Sequence, residues 1–166
     1  DARERSAWVH VEALNHALRG IPAEQIRHHT CYGLNHGPRM NDIPLADVVP
    51  FMLAINAGAH SFEVANPRHY HEWRIWEDVD LPDGKILMPG LLGHATNYVE
   101  HPELIAQRID RYANLCGREN VLAGVDCGFS IHVGMGGVDP DVTYAKLDAL
   151  AEGARIASKK YWPKAA

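Results

Sequence analysis

The sequence predicts an α/β fold built on a parallel sheet. Three observations carry that expectation. Four apolar, strand-like runs recur along the chain; a helical periodicity follows each; and Gly, Pro and Asp punctuate the joins. The strand starts lie roughly 25 to 36 residues apart, which is room for a strand, a crossover helix and two short connections. Alternation of this kind makes right-handed crossovers between parallel neighbours. Two architectures fit: a small doubly wound sheet, or half of an eight-stranded (β/α) barrel, which takes about 250 residues when whole. Periodicity alone does not choose between them.

Each element has its own signal. A first helix is expected over roughly 4–18, with Val11, Leu14 and Leu18 on one side. Gly20-Ile21-Pro22 ends it, and the first strand runs from Ile26 to Cys31. Leu45, Val49, Met52 and Ile55 then recur at helical spacing. The second strand, Ala59 to Val64, follows Gly58. Pro67 to Asp80 is irregular and rich in Trp and His, and predicts a loop holding a short helix. Within it Trp73 and Trp76 are expected to pack, and His69 and His71 to be loop or packing residues. Pro82-Asp83-Gly84 turns the chain into a third strand, Lys85 to Leu92. Pro102 stands near the start of a helix whose inward face is Leu104, Ile105, Ile109 and Tyr112. The fourth strand, Val121 to Cys127, follows Gly117. A last helix, starting at Asp139-Pro140, is expected to turn Tyr144, Leu147, Leu150, Ala151 and Ala154 inward.

Composition bounds the function. The chain has 166 residues, 46% of them hydrophobic, so it can bury a core without disulfide staples. Sixteen basic against 21 acidic side chains, with no basic run, argue against nucleic acid and against a basic membrane-surface helix. No apolar stretch approaches the roughly 20 residues that span a bilayer. Three cysteines are too few for a disulfide scaffold, which points to a reducing compartment and a cytoplasmic protein. No glycine-rich phosphate fingerprint follows the first strand; Gly134-Met135-Gly136-Gly137 comes late and lacks its spacing. Eleven histidines, by contrast, are many for this length.

The chemistry gathers at the strand ends. The first run closes on His28-His29-Thr30-Cys31, and residues two apart on a strand share a face, so His29 and Cys31 project together. The second carries Glu63 amid apolar neighbours, where an unpaired carboxylate would be costly. The fourth ends Asp126-Cys127-Gly128, while Cys116 reads as a small core residue. His60 is expected to face the outer helices. One imidazole, two thiols and one carboxylate at one rim are zinc ligands by type. Two thiolates and a carboxylate make an electron-rich centre, poor at generating hydroxide. Such a centre suits holding a substrate thiol as a nucleophilic thiolate, with Glu63 the ligand that yields when the thiol enters.

These residues resemble a known group. His29-Thr30-Cys31, Ser61-Phe62-Glu63, the His94…Val99-Glu100 segment and Asp126-Cys127-Gly128 look like the cobalamin-independent methionine synthase superfamily. They resemble more closely its shorter single-barrel members, methionine-synthase-like or related to epoxyalkane:coenzyme M transferase. The stretch from Val11 to Lys159 reads like the C-terminal half of that (β/α)8 TIM barrel, about four βα units plus a preceding helix. The whole of 1–166 would then be one zinc-bearing half-barrel without its N-terminal half. The resemblance implies zinc held by His29, Cys31, Glu63 and Cys127, with His94 protonating the methyl donor as it leaves. It also implies a zinc-dependent methyl- or alkyltransferase, with 5-methyltetrahydrofolate and homocysteine as default substrates. After Gly128 the chain departs, running Phe-Ser-Ile-His-Val-Gly-Met-Gly-Gly where methionine synthases carry a basic segment. Open sheet edges are an aggregation hazard, so a homodimer or a missing N-terminal half is the expected partner. The alternative is a non-catalytic zinc-binding half-barrel.

Overall fold

The computed structural model describes residues 1–33, 40–130 and 137–163; the glycine-rich run at 134–136 lies outside them. Among the described residues, three parallel strands form the sheet in the order β1-β2-β3. They are β1 (Arg27–Thr30), β2 (Ala59–Phe62) and β3 (Ile86–Pro89), the inner parts of the first three expected runs. In register, His29 lies beside Ser61 and Ser61 beside Met88, while His28, His60 and Leu87 form the neighbouring row. Side chains alternate across a strand, so those two rows point to opposite faces.

The helices cover the face that carries His60, Phe62 and Leu87. Helix α1 (Ala2–Ala17) opens on an Asp1–Glu4 capping box, and α2 (Leu45–Ala54) buries Leu45, Val49 and Met52. A 3-10 segment, Tyr70–Glu77, buries Trp76 at the expected irregular stretch. Helix α3 (Pro102–Cys116) starts with proline in its first turn and buries Ile105, Ala106, Tyr112 and Ala113. Helix α4 (Pro140–Tyr161) is capped by the Asp139 side chain. Phe62, Leu87, Leu91, Leu92, Trp76, Ile105 and Tyr112 form the main core. Cys116 packs half-buried against it. A smaller cluster of Val11, Ile55 and Ala57 seats α1, with Leu14 and Leu18 against it. Asn15 stitches that corner, its Nδ2 donating to Ala54 O at 2.9 Å and its Oδ1 accepting from Asn56 N at 2.8 Å.

Two expectations need correction. The run from Val121 forms no ladder among the described residues, only parallel bridges of Val121 to Leu87 and Gly124 to Gly90. Leu122 N donates to Leu87 O at 2.8 Å, Gly124 N to Pro89 O at 3.2 Å and Leu91 N to Gly124 O at 2.9 Å. The bond that should come from residue 89 is missing because proline has no N–H. The segment runs beside β3 as a fourth strand would, with its middle link removed. The inward face of α4 also differs: Lys146, Ala149, Gly153 and Ala157 are buried, while Tyr144 is 69% and Leu147 39% exposed. A Cβ on Gly153 would stand 2.6 Å from Ile105 Cβ, so α4 approaches α3 too closely for large residues there.

Candidate metal centre

All the candidate site residues lie at the C-terminal ends of the strands or just beyond. His29 ends its row on the sheet face away from the helices, where Ser61 Oγ lies 2.9 Å from its Nδ1. A hydrogen bond on one ring nitrogen sets the orientation of an imidazole. Cys31 follows β1, and its sulfur sits 3.3 Å from that of Cys127, 96 positions away. Ligand atoms of His29, Cys31 and Cys127 all lie within 4.8 Å of one another. Glu63 Oε2 is 3.7 Å from Cys31 Sγ, so the carboxylate touches the group through Cys31 while its own cluster lies with His94 and Asp126.

The carboxylate of Glu63 is 1% exposed, and its neighbours account for its charge. Tyr32 N donates to Oε2 at 3.0 Å; Asn66 Nδ2 donates to Oε1 at 2.8 Å and Arg68 Nη2 at 3.4 Å. Arg68 is itself paired with Asp42, and Asp42 meets His69, which also pairs with Glu72 at 2.6 Å. His69 is therefore a buried packing residue, its ring stacked on Tyr32 at 3.8 Å between centroids. His71 is exposed. His60 is buried on the helix-covered face, beside His28 and 3.2 Å from Lys85 Nζ.

A second group adjoins the first. Ligand atoms of Glu63, His94 and Asp126 also come within 4.8 Å of one another, and all three residues are buried. His94 thus stands against the same carboxylate that reaches Cys31. Asp126 Oδ1 accepts from Val64 N at 2.9 Å and Ala65 N at 2.7 Å, which ties the end of the fourth run to the end of β2. Burial pushes the Asp126 carboxyl up to about 7, opposed by the Ala65 and Val64 N–H groups and reinforced by Glu63.

The donor set fits zinc by type: one imidazole, two sulfurs and one carboxylate. Burial raises the Cys31 thiol well above its ordinary range; the Gly33 N–H, 3.1 Å from the sulfur, opposes that, and Cys127 and Glu63 add to it. Burial also lowers the His29 imidazole, against the pull of Glu63. A neutral imidazole is ready to ligate, whereas a thiol held protonated would release its proton to solvent as its sulfur bound a cation.

Sequence reading assigned no role to Asp126, Asn66, Arg68, Tyr32 or Lys146. Asn66 and Arg68 follow Glu63 in a polar turn and reach it locally, whereas the partners of Asp126, Val64 N and Ala65 N, lie 62 and 61 positions away on the exit of β2. No protein-family model and no curated protein matches the chain. Among solved structures it is similar to a B12-independent methionine synthase from Shewanella sp. W3-18-1 in complex with selenomethionine, with a TM-score of 0.70 and 23% identity. The match covers 91% of this chain and 43% of that one, so the chain spans less than half the length of that enzyme. The likeness is one of fold, a mixed α/β unit with a small parallel sheet.

Proposed function

We propose that this chain is the metal-bearing half of a (β/α)8 enzyme of the cobalamin-independent methionine synthase superfamily, transferring a methyl or alkyl group to a thiol. The observation that carries the reading is the grouping of His29, Cys31 and Cys127, with Glu63 in contact with Cys31, from three separate runs of chain. These four would hold zinc, which when bound keeps a substrate thiol ionised near neutral pH while leaving its sulfur nucleophilic. The chain's own side chains do the rest. The Gly33 N–H supports negative charge on Cys31, and Ser61 orients His29. Glu63 has Tyr32 N, Asn66 and Arg68 as partners, so it is the donor best able to yield to an entering thiol. His94, buried beside Glu63 and Asp126, would pass a proton to the group that leaves as the methyl carbon bonds to sulfur. Homocysteine and 5-methyltetrahydrofolate are the substrates that the resemblance implies.

Turnover would require a second half-barrel, supplied by another copy or by an N-terminal half. The second reading is a zinc-binding half-barrel without turnover. Metal analysis under reducing conditions tests the shared premise: one zinc per chain is expected, and Cys31→Ser and Cys127→Ser should each lose it. A zinc-free parent would overturn both readings. Methyl transfer to homocysteine or another thiol separates them, since the second predicts none at any substrate concentration.

A further inference from the structure

We propose that Lys146 and Glu100 act as a positioning pair for His94, an inference that rests on the reading of His94 as the proton donor. Lys146 is fully buried in the second turn of α4. Its Nζ donates to Gly93 O at 3.0 Å, Thr96 Oγ1 at 3.2 Å and Glu100 Oε2 at 2.6 Å, which uses all three ammonium hydrogens. The other oxygen of Glu100 accepts from Gly93 N at 2.8 Å. Both backbone groups of Gly93 are therefore held by the ion pair, and the carbonyl of Gly93 belongs to the peptide that leads into His94. The ring of Tyr98 lies 5.3 Å from Nζ and closes the cage.

Stability alone does not account for this arrangement. A buried ion pair seldom stabilises a fold more than well-packed apolar residues of the same volume would. What it does supply is direction, because charge-assisted hydrogen bonds are short and geometrically demanding. The loop from Gly93 to Glu100 contains no helix or strand, so its backbone has no ladder to fix it. Lys146 reaches it from α4, 53 positions beyond Gly93, and sets the peptide before the histidine. The pair thus aims His94 at Glu63 and Asp126 without touching either.

The test uses the full chain and the double variant K146M/E100Q, which removes both charges together and so leaves no unpaired charge in the core. The readout is the His94 ring in a ¹H–¹⁵N spectrum, assigned by its disappearance in His94→Gln, with His69 as an internal control. The double variant should keep its zinc content and a cooperative unfolding transition. Its His94 ring resonances should shift toward those of an imidazole averaging its tautomers, while His69 stays in place. Unchanged His94 resonances in a folded variant would overturn the proposal, as would unfolding of the double variant, which would assign the pair to the fold. Metal content is read separately, so a zinc-free parent sinks the functional reading while the ring still judges the positioning.

Discussion

Individual side chains divide into those that hold the centre and those that hold the sheet. His60 shows how differently histidines on neighbouring strands can behave. His29 stands on the open face, whereas His60 is fully buried and hemmed by Lys85 and His28. Burial, with the charges of Lys85 and His28 adding, lowers its imidazole to about 4, against 6.5 for the free group. Between those two values the unfolded chain takes up a proton that the folded one refuses. His60 thus contributes stability that is complete above pH 6.5 and is lost as the pH falls toward 4, by at most about 3 kcal/mol. Denaturant unfolding followed over that range should show the loss, and His60→Phe should flatten the slope. An unchanged slope would mean that His60 is not the group responsible.

At the scale of elements, the end of the fourth run is locked to β2 through Asp126, and Gly90 makes the room. A Cβ on Gly90 would fall on the Asp126 carboxylate and 2.8 Å from its Cα. Gly90→Ala should therefore free the buried Val64 and Ala65 N–H groups, at roughly 1–3 kcal/mol each. Gly128→Ala is the control, because a Cβ there meets nothing within 4 Å and should change stability by less than about 0.5 kcal/mol. Chemical denaturation reads both, and a Gly90→Ala chain as stable as the parent would break the argument. Much at this scale was legible beforehand. The faces of α2 and α3 followed from Leu45, Val49, Met52, Ile105 and Tyr112, because apolar spacing reports burial directly. His29, Cys31, Glu63 and Cys127 were legible as residue types at strand ends, since a parallel sheet brings such ends to one rim. The inward face of α4 was not, because its deepest side chain is a lysine, and hydrophobicity gives no hint of an ammonium caged by Gly93, Thr96 and Glu100. The broken ladder at Pro89 could have been read from the sequence: a proline in a run expected to lie between two strands is the signal.

For the molecule as a whole, the sheet has β1 at one margin, with no strand beyond it among the described residues. The row of His29, Ser61 and Met88 faces away from the helices, and Leu122 near it is 40% exposed. An open edge and a partly apolar face favour association. Sedimentation of the purified chain should show a concentration-dependent dimer, and a monomer at all concentrations would remove the pairing argument. None of the helices among the described residues is long and apolar enough to cross a membrane. The two sulfurs that meet at the rim are 96 residues apart, on the first strand's exit and on the segment that Pro89 leaves loosely bonded. A cation shared between them would close a loop of nearly a hundred residues, and a cross-link of that span removes up to roughly 4–5 kcal/mol of disorder from the unfolded chain. The centre would then be a clasp as well as a reagent, fastening at its weakest seam the fold that presents it.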